Sequence, residues 1–195
     1  IILKQAIKIM KIMGMEEYGA DHTFTIEELV GVVAQNQLYY TAPGQAFHYS
    51  NTGISLAAKI VEQVTGKTFA QFAREELLVP NGLADTAFPD DGRARDLPAP
   101  YISGTLKVDG EYIDTTRANV SWGVGEGNVV STPSDLVRWI RRLVKGEAGV
   151  SASNVARMVA CLPTYEEHVW YGLGIECNPP DLGAGHNGAI AGYVT

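Results

Sequence analysis

The sequence predicts an α+β protein: a helical subdomain followed by part of an antiparallel sheet. Three observations carry that expectation. Two capping boxes and a Thr-Pro-Ser-Asp start each open a run with apolar residues at three- and four-residue spacing. Turn formers rather than helix formers dominate residues 85–114. From Val169 onward the apolar runs become short and β-prone, first Val169 to Cys177 and then Ala189 to Thr195. One incomplete domain over 1–195 is expected, mostly helix and loop from about 24 to 160 and strands from about 168 to 195.

In chain order, Leu3, Ile7 and Met10, with Ala6 and Met13, recur at helical spacing over Ile1 to Met15, and Lys4, Lys8 and Lys11 fall on another face. A helix of this kind can lie on a membrane. Packing on a core with a solvated lysine face is the commoner use of such a stripe and is preferred here. Thr25-Ile26-Glu27-Glu28 is a capping box, followed by the stripe Ile26, Leu29, Val30 and Val33. Pro43-Gly44 marks a turn. After Asn51, the positions Ile54, Ala57, Ala58, Ile60, Val61 and Val64 predict a buried helix, with Gly66 as its left-handed stop. Thr68-Phe69-Ala70-Gln71 opens a helix to about Leu78, ended by Pro80 and Asn81-Gly82. A hairpin is expected over 106–113, turning at Asp109-Gly110. Thr132-Pro133-Ser134-Asp135 starts a helix with Leu136, Ile140, Leu143 and Val144 that stops near Gly146, and another runs from about Ser153 to Val159. The two β-prone runs are expected to pair with each other.

Composition narrows the function. The net charge of −7 argues against nucleic-acid and anionic-membrane partners. No apolar run approaches the ~20 residues that span a bilayer. His22, His48, His168 and His186 form no HExxH-like pattern, and Cys161 and Cys177 lack ligand spacing, so neither metal nor other cofactor is expected. The two cysteines are expected as free or buried thiols, with pairing as the alternative. Ser121 to Gly127 is glycine-rich, but no Gly-Lys-Ser/Thr follows, so it is not a phosphate loop. Glu126 within it reads as a loop carboxylate, and Trp122, Trp139 and Trp170 as core or cleft wall.

The candidate chemistry gathers at Tyr49-Ser50-Asn51. A phenol, a hydroxyl and a carboxamide at a helix entrance combine a proton carrier with groups that hold an amide. The free N–H groups and positive dipole end there favour developing negative charge. Ser50 and Asn51 can equally serve as caps, and His48 reads as a packed neighbour.

Three blocks together carry a resemblance. They are Pro43 to Gly53 around the triplet, Val64-Thr65-Gly66-Lys67-Thr68-Phe69, and Tyr171-Gly172-Leu173-Gly174 followed by Gly185-His186-Asn187-Gly188. They resemble the serine β-lactamase and penicillin-binding-protein family, in its class C β-lactamase, D-alanyl-D-alanine carboxypeptidase and esterase branch. The resemblance implies the β-lactamase/transpeptidase-like fold and acyl-enzyme chemistry on a β-lactam, D-amino-acid peptide or ester. Tyr49-Ser50-Asn51 matches that family's Tyr-x-Asn motif, and His186-Asn187-Gly188 its Lys/His-x-Gly motif. By that likeness Tyr49, Asn51 and His186 are catalytic. Ser50, Asn187, Gly188 and Ala189 contact substrate, with the N–H of Ala189 as one oxyanion donor.

The family's Ser-x-x-Lys nucleophile motif is missing: no serine in the chain has lysine three places on, and Ser55 to Lys59 is one residue too long. Asn187 stands where threonine or serine is usual. Further N- and C-terminal segments of the same fold are therefore expected as partners of this one, and the chain alone is expected to be inactive. A non-catalytic binding or regulatory module that lost its nucleophile is the alternative. The resemblance implies a periplasmic or extracellular setting.

Overall fold

The computed structural model describes residues 22–37, 41–89, 97, 99–108, 110–177, 183–190 and 192–195. The helix expected over Ile1 to Met15 lies outside these residues.

Helix α1 (Ile26–Gln35) starts where Thr25 and Glu28 satisfy each other's backbone N–H groups, which leaves Ile26 and Leu29 free to turn inward and be buried. Helix α2 (Asn51–Thr65) is capped by Ser50 and ends on Gly66 at φ 70°, as its sequence predicts. A second capping box opens α3 (Phe69–Phe72), which widens into a π-helical turn over Ala73–Leu78. Strands β1 (Thr105–Val108) and β2 (Glu111–Asp114) form the expected hairpin. Helix α4 (Pro133–Val144) begins at the Thr132 cap, and α5 (Ala152–Met158) at Ser151.

The core centres on Leu143, Ala148 and Val155, with Trp139, Ile140, Val150 and Met158 packed around them. Polar bridges fix the surrounding loops. Buried Asp135 accepts from the Asp85 N–H at 2.9 Å and the Thr86 hydroxyl at 2.8 Å. Asn81 donates to Leu77 O at 2.7 Å and accepts from Arg142 Nε at 2.6 Å, tying the end of the π-helical turn to α4. Each bridge satisfies a polar group that burial would otherwise strand.

Helix α2 corrects one expectation. Its large apolar residues face outward: Ile54 is 36% exposed, Ile60 60% and Val64 80%. The buried positions are the small ones, Ser55 and Ala58. The cause is a close approach by the glycine-rich loop. Gly125, at φ +79°, sits so near that a Cβ there would stand 2.7 Å from the Ala58 Cβ. Only small side chains on both surfaces allow that contact.

The strands bring a second correction. The two β-prone runs do not pair with each other. Each folds back on itself. Strands β3 (Leu162–Pro163), β4 (Trp170–Tyr171), β5 (Glu176–Cys177) and β6 (Ala184–Gly185) form one antiparallel sheet in that order. Strands β7 (Ala189–Ile190) and β8 (Tyr193–Val194) form a separate hairpin. Glycines make the difference. A Cβ on Gly172 would lie 1.9 Å from Met158 O, and Gly174 has φ +73°. The chain can therefore reverse over 172–175 while Leu173 N–H donates to Met158 O at 3.0 Å, which seats the turn on the end of α5. The β7–β8 hairpin rests on the segment that leads into β1, with the Tyr193 hydroxyl donating to Ile102 O at 3.1 Å.

The cysteines bring a third. Cys161 and Cys177 are joined in a disulfide, with Cα atoms 6.2 Å apart, rather than free. The same seating of the β4–β5 turn against α5 brings them together. A closed loop of this separation, 16 residues, is worth about 3 kcal/mol of unfolded-state entropy. Replacing both with serine is expected to lower the unfolding free energy by about that amount in urea titrations against the oxidised chain. Equal midpoints and slopes for the two proteins would contradict this.

Candidate active site

The Ser50 side chain accepts from Gly53 N–H at 3.1 Å, so its hydroxyl is occupied as the α2 cap. Asn51 is the exposed first residue of the helix, and Tyr49 stands just before the cap. The glycine turn of β4–β5 carries Tyr171 to the same place, and His186 follows β6.

Three rings meet here. Tyr49 lies 5.9 Å from Tyr171, edge to face at 87°, and 6.1 Å from His186. Tyr171 and His186 are 5.6 Å apart at 89°. The Tyr171 hydroxyl is hydrogen-bonded to His186 Nε2 at 2.8 Å, and His186 Nδ1 to the Asn187 carbonyl at 2.5 Å. Phe47 packs on Tyr171 at 5.2 Å and on Tyr165 at 5.7 Å, forming one wall. His48 turns out of the cluster toward Tyr165, with Nδ1 bonded to its neighbour's carbonyl, Tyr49 O. The site is open to solvent, since Tyr49 is 42% exposed and Asn51, His186 and Asn187 are also exposed. A cavity of about 510 Å³ between α3 and residues 82–88 shares no residue with it.

Gly188 and Thr195 exchange both backbone hydrogen bonds, at 3.1 and 2.9 Å. Ala189 opposes Val194, so it occupies the next, non-bonded position of the ladder. Its N–H points away from β8. A Cβ on Gly188 would stand 3.0 Å from the Thr195 hydroxyl, so the tight neighbour of this glycine is the hairpin itself.

The electrostatics keep the phenols protonated. Burial raises the Tyr49 pKa, with smaller contributions from the Glu126 and Glu176 charges. Tyr171 is pushed up to about 12, mainly by burial and then by Tyr49 and Glu176. Glu126 is no ordinary loop carboxylate. Burial lifts its pKa to about 7, and its Oε2 has no hydrogen-bond partner among the described residues. Among the described residues Ser55 Oγ is buried without a hydrogen-bond partner as well, and Lys59 pairs with Glu27 and Glu62. Among the described residues no group of His, Cys, Asp or Glu could hold a metal ion. No helix among them is long and apolar enough to cross a membrane.

The sequence motifs name Tyr49 and His186, whose rings the structure brings to 6.1 Å, and give no role to Tyr171. The signal was the Tyr-Gly-Leu-Gly run, whose glycines close the turn that delivers the phenol. Nothing in the sequence marked Glu126, because its burial comes from the distant contact of its loop with α2.

A protein-family model described as Beta-lactamase matches residues 12–195. The chain belongs to the beta-lactamase family. Its architecture agrees: the D-stereospecific amidohydrolase from a Streptomyces species superimposes with a TM-score of 0.81 at 26% identity, covering 95% of this chain and 56% of that one. This beta-lactamase-family chain is 27% identical to penicillin-binding protein 4* of Bacillus subtilis over 168 residues, 80% of its own length and 37% of the relative's. It is 28% identical to the D-alanyl-D-alanine-carboxypeptidase/endopeptidase AmpH of Escherichia coli over 117 residues, 60% of its length and 28% of that protein's. The chain thus spans about a third of the length of these curated relatives.

The raised Glu126 pKa has a definite sign in stability. Below the unfolded value of 4.5 the carboxyl is protonated in both states and costs nothing. As pH climbs from there to about 7, the unfolded chain ionises first, and folding is progressively penalised. With partial solvent access the full penalty is about 1–2 kcal/mol. Glu126→Gln is expected to stabilise the chain by that much at pH near 8 and by roughly nothing near pH 4, read by denaturant unfolding at both. The same gain at both pH values would contradict the assignment.

Proposed function

We propose that this chain forms one wall of the active site of a serine hydrolase that works through an acyl-enzyme on β-lactam, D-amino-acid peptide or ester substrates. The observation that carries this reading is the approach of the Tyr49 and His186 rings, 6.1 Å apart at the mouth of α2. Tyr49 carries the proton between nucleophile and leaving group. Asn51, exposed at the helix mouth, holds the substrate's amide. His186, Asn187 and Gly188 border the groove opposite, and Ser50 holds the mouth in shape. The N–H of Ala189, turned away from β8, is available as an oxyanion donor. The names of the relatives, a D-alanyl-D-alanine carboxypeptidase and a D-stereospecific amidohydrolase, support substrates with a D-centre.

The reaction runs in two steps. A serine oxygen attacks the carbonyl carbon, its proton passing to the base, and the leaving nitrogen or oxygen takes a proton as its bond breaks. Water then hydrolyses the ester. The serine is supplied by polypeptide outside these residues. Burial and two carboxylates hold the Tyr49 phenol protonated here, which suits donation to the leaving group. A lysine brought in beside the nucleophile would oppose that shift and allow the reverse transfer.

One set of experiments tests this. Nitrocefin and p-nitrophenyl esters are expected to show no turnover above buffer with the 195-residue chain. D-Phenylalanine amide should shift the side-chain amide of Asn51 and the backbone amides of Gly188 and Ala189 in nitrogen–proton spectra, and the L-isomer should shift them less. Asn51→Ala is expected to weaken that binding about tenfold, equivalent to ~1.4 kcal/mol. Turnover abolished by Tyr49→Phe would refute the outside nucleophile, and shifts confined to other surfaces would refute the site.

A further inference from the structure

We propose that Tyr171 is a positioning residue that fixes the tautomer of His186. This rests on the reading of His186 as a site residue and extends it to a residue with no assigned role. The Asn187 carbonyl can only accept, so the imidazole must carry its proton on Nδ1 to make that bond. In the neutral ring Nε2 is then an acceptor, and the partner at 2.8 Å is the Tyr171 hydroxyl, which donates. The phenol keeps its proton because burial raises its pKa to about 12. Two observations make the arrangement rigid. Tyr171 is clamped by ring contacts to Phe47 and Tyr49 at 5.2 and 5.9 Å. Its backbone leads into a turn that only glycine at 172 permits, since a Cβ there would strike Met158 O.

Both ring nitrogens are thereby engaged inside the protein. A substrate polar group reaches His186 only through the phenol or by displacing it. While the imidazole is neutral, the open side of the Tyr171 oxygen presents lone pairs. This end of the groove is therefore a hydrogen-bond acceptor, matched to an N–H of a substrate amide or ammonium.

The test is long-range nitrogen–proton correlation of the histidine side chains in the labelled chain, with His186 assigned by its loss in His186→Gln. At a pH where its own spectrum shows a neutral ring, wild-type His186 is expected to show a protonated Nδ1 and an unprotonated Nε2. In Tyr171→Phe the ring contacts remain and the donor is lost, so the Nε2–H tautomer should rise severalfold. A wild-type proton on Nε2 would overturn the proposal, and so would an unchanged tautomer ratio in Tyr171→Phe. Should that variant fail to fold, the wild-type tautomer alone decides. No substrate enters this measurement. A failed D-phenylalanine amide titration would thus sink the functional reading and leave this one standing, and the converse holds.

Discussion

The hydrogen bond between the Tyr171 phenol and the His186 imidazole is the contact on which the geometry of the groove depends. The bond lies at the exposed edge of the aromatic cluster, where a hydrogen bond of this kind contributes about 0.5–1.5 kcal/mol. Here the partner lies on a different segment, beyond β6. The bond links the β4–β5 turn to the His186 segment, whose register the pairing of β4, β5 and β6 sets. Tyr49 then closes the cluster edge-on from the mouth of α2. Three stretches far apart in sequence are thus held against one another by rings whose polar ends point to each other and to the groove.

Backbone chemistry makes the cluster possible. The turn over 172–175 is seated directly on the last turn of α5, a fit that no side chain at 172 could share. The disulfide between Cys161 and Cys177 closes the same region covalently. On the other side, Gly125 lies against Ala58 and lets the Glu126 loop press onto α2. The cost is a carboxylate drawn out of water next to a tyrosine. Burial raises the Glu126 pKa to about 7, and burial first and the Glu126 charge second raise that of Tyr49.

Much of this was legible in the sequence. Caps and turn glycines are local, and the structure has the expected ones at Thr25, Ser50, Thr68, Thr132 and Gly66, with a hairpin where one is expected over 106–113. What failed was non-local. The α2 stripe is expected in the core, yet apolar periodicity shows only that a face exists. Which face is used was decided by a glycine 60-odd residues away. The two β-prone runs are expected to pair with each other and do not, because β-propensity does not specify a partner. Free or buried thiols are the expectation for the two cysteines because spacing alone does not give Cα proximity. The motif residues Tyr49 and His186 were found through a resemblance, and the residue linking them, Tyr171, emerged only from the contact itself.

The mouth of α2 and the His186 segment meet through the rings of Tyr49, Tyr171 and His186. Nuclear Overhauser contacts between the ring protons of these residues test it most directly. Cross-peaks linking His186 to both tyrosines are expected, comparable in strength to those of the Phe69–Phe88 pair, whose centroids are 5.5 Å apart. Clear Phe69–Phe88 cross-peaks with none from His186 to either tyrosine would contradict the account.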